Sequence, residues 1–460
     1  MTMRRGRLFI LLAMLLPHLA LGLGPHELLV LVNDRSSNSV EIAGEFVRLR
    51  GIPEINVVRL SLPAYAGGAT VDIAQDDFTR EIWTPALKAL RERGIEDHIL
   101  AWVYSADFPT TINTVPAISL QGITFLRNVP VAPPEVEKGT YASVLFAGPN
   151  PAVQGGENYA SRTFDTFSEW LKDDMPLPSM MLGYTGERGN SRETVLKCLR
   201  SGIASDGTRP TGTVFFVTSD DIRAQCRQWQ FEPVRRDLIQ LGVRAETTRA
   251  FPAGRKDIMG LMMGTADLNP GADNRYLPGS MAEHLTSMAG AFQTPSQTKI
   301  SAWIEAGTAG AAGAVVEPMS VWQKFPSARF FVHYANGCSM MESFFQSIRC
   351  PLQLLIVGDP LARPWAPTNV VLRVEGLESN TVSGVVKAHA EARSGPGCRY
   401  WRFLYLLDGK AVGRSADLVL DTSAIPEGPH QLRVVAYGPG LVRDQVFVER
   451  TVVVGNAARK

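Results

Sequence analysis

Four short, almost wholly apolar runs set the frame for this chain: residues 28–32 (LLVLV), 99–104 (ILAWVY), 213–217 (TVFFV) and 352–357 (LQLLIV). A strand with one wet face alternates polar and apolar residues. A run without alternation needs both faces covered, which is the signature of a parallel sheet between layers of helix. The segments between the runs supply those helices. After the first run, residues 33–39 form a polar turn rich in helix-capping residues, and Val40, Ala43, Phe46, Val47 and Leu49 follow near helical spacing until Gly51. Residues 55–62 read as the next strand, 75–93 as a second helix, and 99–104 as a third strand. The same layout returns with the strand 213–217, a Ser/Asp-rich turn, a helix over 222–241 and Gly242. Strand–helix alternation of this kind predicts an α/β fold with a mostly parallel sheet, flanking helices and right-handed crossovers.

The chain opens with Arg4, Arg5 and Arg7 and no acid, then an apolar run over 8–16, Pro17, His18 and the residues LALG ending at Gly22. A basic start, a short apolar stretch and small residues predict an export leader, residues 1–22, cleaved after Gly22. Pro17 interrupts the run well short of the roughly 20 apolar residues needed to cross a bilayer. The mature protein is expected to have no integral membrane span and to reside in the periplasm, at the surface or outside the cell. Its expected partner is an extracytoplasmic protein or polymer. Lys and Arg number 46 against 45 Asp and Glu, a balance that argues against a nucleic-acid partner. The five cysteines, an odd count, show no CxxC spacing; Cys198 and Cys226 either pair or remain free thiols.

Residues 23–366 form the expected α/β domain. Within it, 105–160 is rich in Pro and Gly and reads as a functional loop or mobile cover. From Asn369 the pattern changes to period two: Trp401, Phe403, Tyr405 and Leu407 share one strand face, and Asp408-Gly409 is hairpin chemistry. Residues 369–456 therefore read as a C-terminal Ig-like β-sandwich.

The motifs RGIP (Arg50 to Pro53), HLTS (His284 to Ser287), GAVVEP (Gly313 to Pro318) and GDPL (Gly358 to Leu361) together resemble an uncharacterised family of exported bacterial proteins. More distantly, the Gly/Ala-rich turn before a late strand and the closing GDP are similar to gingipain-like cysteine peptidases. That resemblance implies a caspase-like fold, with a His in a Gly-His-Gly context after one strand and a nucleophilic Cys after the next. Here those places hold Met263-Gly264-Thr265-Ala266-Asp267 and Thr286-Ser287-Met288, so the His/Cys dyad is absent.

Candidate catalytic residues are His284 as base and Ser287 as nucleophile, with Asp267 or Glu317 orienting the imidazole; no G-x-S-x-G elbow surrounds Ser287. Ser36, Ser37, Asp107 and Asp359 fall at expected strand ends, where open α/β sheets bind ligands. Asp267, Asp273, Glu283 and His284 read better as a solvated turn than as a metal site, and Cys338 near His333 reads as a packed thiol. Without a phosphate loop or G-x-G-x-x-G, no cofactor is expected. The expected function is non-catalytic binding or assembly on a peptidase-like fold. The alternative is a peptidase- or esterase-like hydrolase rearranged around His284 and Ser287.

Overall fold

All four apolar runs enter one ten-stranded sheet. The computed structural model describes residues 22–149, 160–368, 370–377, 379–394, 398–400 and 402–456. Residues 1–21 of the expected leader, and Trp401, lie outside the described residues. In the first domain the strands are β1 (Leu28–Asn33), β2 (Val57–Leu60), β3 (Asp72–Ile73), β4 (Ala101–Tyr104), β5 (Thr111–Ile112) and β6 (Ile118–Ser119). They continue with β7 (Ser179–Met181), β8 (Thr213–Val217), β9 (Arg244–Thr248), β10 (Ile258–Gly264), β11 (Tyr276–Leu285), β12 (Gly310–Ala314) and β13 (Leu354–Gly358). The large sheet has the order β2-β1-β4-β7-β13-β12-β11-β10-β8-β9, and β3, β5 and β6 form a small separate one. β1 is parallel to β2 and β4, and β10 is parallel to β8 and β11, whereas β12 and β13 are antiparallel. Leu28, Leu29, Val30 and Leu31 are all 0% exposed, as a strand covered on both faces requires.

The first crossover shows how local sequence builds the frame. Ser36 caps the helix Ser37–Arg50 by accepting from the Ser39 N–H, and Gly51 ends it in the left-handed region at φ 64°. Ile42, Ala43 and Phe46 form its buried face.

Three expectations are corrected. The helix expected over 222–241 is broken into Ile222–Gln225, a 3-10 turn Gln228–Gln230, and Phe231–Gln240. Pro233 has no N–H and is tolerated only in a first turn, so the long helix restarts just ahead of it; Arg227, in the break, turns inward. The Gly/Ala run feeds its strand earlier than expected, at Gly310–Ala314 rather than 314–316. A Cβ on Gly313 would lie 2.6 Å from Ala289 Cβ, so only minimal side chains let this strand approach its neighbours. The described part of 105–160 is not a cover. It contributes β5, β6 and the helix Leu120–Phe125, whose residues are all buried.

The second domain has strands β14 (Val370–Glu375), β15 (Thr381–Val382), β16 (Val385–Ser394), β17 (Cys398–Arg399) and β18 (Arg402–Leu407). It ends with β19 (Lys410–Gly413), β20 (Asp417–Asp421), β21 (Gly428–Tyr437) and β22 (Gln445–Val454). One sheet is β14-β16-β17 with β20 on β16; the other is β15-β22-β21-β18-β19. Asp408 and Gly409 make the expected hairpin turn, both at positive φ. Phe403, Tyr405, Leu407 and Val434 face the sandwich core, while Leu404, Leu406, Val435 and Tyr437 form an apolar group on the opposite face.

Candidate functional site

β1 is flanked by β2 and β4, so the chain leaves it in one direction and returns on its other side. That divergence is a topological switch point, the place where open α/β sheets most often bind ligands. Two residues expected to line a site meet here. Asp107, just past β4, accepts from Ser36 Oγ at the helix cap, from Gly67 N at 3.0 Å, and from Thr185 Oγ1 at 2.6 Å. Asn33 at the end of β1 donates to the Asp107 carbonyl at 3.0 Å and to the Leu62 carbonyl at 2.9 Å. Asp107 is fully buried and sits at φ 60°, a left-handed conformation that Asp tolerates better than most residues. Every carboxylate oxygen is thus spent on the protein's own loops, and the crevice is closed by a polar knot. Ser37, by contrast, is exposed on the first turn of the helix.

His284 lies on β11 and is 0% exposed. Its Nδ1 accepts from the Trp303 indole N–H at 2.8 Å, which places the ring proton on Nε2. Burial, and secondarily the charge of Arg227, push its pKa down to about 3, with a backbone contact at Thr298 opposing them. Its neighbour Glu283 is equally buried and lies 2.5 Å from Arg227 Nη2. That nitrogen also donates to the Met263 carbonyl, and Nη1 donates to the Pro326 carbonyl at 3.0 Å. Burial raises Glu283 to about 7 against the attraction of Arg227.

The expected catalytic group does not assemble. Among the described residues, no hydrogen bond or ion pair joins His284 to Ser287, Asp267 or Glu317. Ser287 is half-buried beyond the end of β11, and Asp267 and Glu317 are exposed. Asp267 acts on Lys299, an amine lowered to about 8 by burial first and Arg188 second, which donates to the Met288 and Ser296 carbonyls at 2.7 Å each. Glu317 Oε1 accepts from its own loop, from Met319 N at 2.8 Å. Asp359 is 0% exposed and paired with Arg50, which also pairs with Asp206, and it accepts from the Leu361 N–H at 3.1 Å in the turn after β13. No group of three or more His, Cys, Asp or Glu among the described residues could hold a metal ion.

Among the described residues, four thiols have side chains in view, and none is set up as a nucleophile. Cys198, Cys226, Cys338 and Cys350 are free, so Cys198 and Cys226 do not pair. Burial raises all four pKa values, Cys350 to about 11, away from the reactive thiolate. His333 binds Ser161 Oγ at 2.8 Å rather than Cys338.

A densely charged seam between the domains went unread in the sequence. His26 Nε2 meets Tyr437 OH at 2.8 Å, Arg443 Nη1 lies 2.9 Å from Asp165 and 2.8 Å from Glu169, and Arg402 Nη2 lies 3.0 Å from Asp165. Burial first and Asp165 second push Glu27 up to about 8, and burial drives His26 well below its usual range. Beside this seam a cleft of about 510 Å³ opens between the RGIP element and the sandwich, lined by Ile52, Pro53, Ile55, Leu406, Asp408 and Arg433 among others. Partners 237 to 411 residues apart leave no local signal.

No family model matches the chain, and no curated protein matches it. Among solved structures, the fibronectin(III)-like modules of Clostridium thermocellum CbhA match at 17% identity and TM-score 0.17, over 25% of this chain and 57% of that one. The chain thus spans little more than half of that protein's length. The spore cortex lytic enzyme SleM of Clostridium perfringens matches at 11% identity and TM-score 0.14, over 49% of this chain and 84% of that one. The endo-beta-1,4-mannanase of Thermotoga petrophila matches at 10% identity and TM-score 0.16, over 83% and 73% respectively. At these scores none of the three bears on fold or chemistry.

Proposed function

We propose that this chain is an exported, non-catalytic binding or assembly protein, built on a caspase- and gingipain-like α/β domain and acting on an extracytoplasmic protein or polymer. The observation that carries the reading is the state of His284. A general base must reach the proton it removes and titrate near the working pH. His284 is enclosed, its Nδ1 is taken by Trp303, and burial holds it neutral far below pH 7. The carboxylates at the strand ends are spent on structure in the same way: Asp107 ties three loops and Asp359 neutralises Arg50. The cleft beside Pro53, with apolar walls from Ile52, Ile55 and Leu406 and charged groups from Asp408 and Arg433, offers room for a partner side chain or small ligand.

The test is a screen of the purified mature protein against peptide, ester and glycoside substrates, with Ser287→Ala alongside. The reading expects no turnover above buffer in either folded protein. Turnover in the wild type that Ser287→Ala abolishes without unfolding would replace it with the hydrolase.

A further inference from the structure

Buried acceptors converge on the first described residues. Gly24 donates its N–H to Glu27 Oε2 at 2.7 Å, and Gln445 Nε2 reaches the same oxygen at 2.7 Å while also donating to the Gly22 carbonyl. On the other flank, a Cβ placed on Gly22 would stand 2.6 Å from Glu342 Oε2, and one placed on Gly24 would collide with Gln445 Oε1. The nitrogen of Leu23 lies between these two glycines, and Leu23 itself is 2% exposed. Glu27 and Glu342 are 3% and 0% exposed, and among the described residues neither has a Lys or Arg within ion-pair distance. The guanidinium nearest to Gly22 is that of Arg363, which pairs with Asp444 at 2.7 Å and donates to the Gly337 carbonyl. Backbone donors meet part of the cost of burial, with Phe164 N at 2.9 Å and Ser339 N at 2.8 Å on Glu342, and the Arg363 charge opposes the rise of Glu342, but neither carboxylate has a cation in direct contact. Burial accordingly raises both, Glu27 to about 8.

We propose that cleavage of the Gly22–Leu23 bond creates the counter-charge: the new α-ammonium of Leu23 docks between Glu342 and the Gln445 amide oxygen and locks the mature N-terminus against the seam between the domains. Water adds across the amide, Gly22 departs with the carboxylate, and the Leu23 nitrogen takes up protons to become an ammonium at neutral pH. Cleavage during export acts on a chain not yet folded, so the burial of this bond in the folded protein is no obstacle. The inference rests on the leader reading, and the experiment separates the two.

Intact mass of the exported protein must first place its N-terminus at Leu23. The mature chain is then compared with an Nα-acetylated one. Acetyl reproduces the Cα and carbonyl of Gly22, which already fit, so it removes charge without adding bulk. The acetylated chain is expected to melt about 3 °C or more lower, and the difference should vanish in Glu342→Gln. As a readout independent of that variant, an amine-reactive ester at pH 7 should label Leu23 at least about tenfold more slowly in the folded protein than in urea. A different N-terminus overturns the leader reading and the inference with it. A Leu23 N-terminus with equal melting and unprotected labelling overturns the inference alone.

Discussion

The indole N–H of Trp303 points at Nδ1 of His284 from 2.8 Å, across rings whose centroids are 5.7 Å apart. This one contact turns a residue that reads as a catalytic base into a structural acceptor. Trp303→Phe keeps the ring and removes the donor, leaving Nδ1 buried and unsatisfied. A loss of about 1–3 kcal/mol in urea-unfolding free energy is expected, with the fold unchanged by circular dichroism.

His284 also couples stability to pH, with a definite sign. Its folded pKa is about 3 against an ordinary value of 6.5, so below 6.5 the unfolded chain binds a proton that the folded one refuses. The stability this residue supports is complete above 6.5 and is lost by up to about 1.4 kcal/mol per pH unit as the pH falls towards 3. His284→Gln lacks that slope. The stability difference between wild type and variant, measured by denaturant titration at several pH values, should shrink as the pH drops from 6.5. A difference that stays constant would mean that the ring titrates alike in both states.

Asp107 is expected to matter for stability alone. Asp107→Ala strips the acceptor from Ser36, Thr185 and Gly67 and places an alanine at φ 60°. With hydrogen bonds to a charged group at about 1.5–3 kcal/mol each and partial rearrangement, a loss of about 3–5 kcal/mol is expected. Asp107→Asn, which tolerates the backbone and keeps an acceptor, should cost clearly less. Equal losses in the two variants would show that the knot is not held by this carboxylate.

The charged seam predicts coupled domains. Arg443→Ala leaves Asp165 with Arg402 alone and Glu169 with a single partner. Calorimetry should resolve a single transition in the wild type into two in the variant, the sandwich melting first, as buried ion pairs broken on one side cost about 3–5 kcal/mol.

The sheet was legible because its evidence is local. Unbroken apolar runs, the Ser36 cap and Gly51 each act over a few residues, and the Asp408-Gly409 turn needs only its own backbone. The restart of the helix ahead of Pro233 had a local signal, but the inward turn of Arg227 did not, because its partners are carbonyls of Met263 and Pro326 that other segments bring near. His284 was misread for a related reason. A histidine three residues before a serine looks like chemistry until Trp303, nineteen residues on, is known to face it. Asp107 and Ser36 both read as strand-end residues, and only their mutual bonding reveals a polar knot there. The seam joins His26 to Tyr437, and Asp165 and Glu169 to Arg402 and Arg443, residues far apart in the chain, and has no local sequence signature.

On the proposed reading, the strand-end histidine is sequestered and does no acid–base work. The most direct measurement is a ¹H–¹⁵N correlation spectrum of the ring nitrogens of His284 followed from pH 8 to pH 4. A neutral ring is expected throughout, with the proton fixed on Nε2 and Nδ1 acting as acceptor. A ring that takes up a proton near pH 6.5, with Nδ1 exchanging freely with water, would contradict it and return His284 to the list of candidate bases.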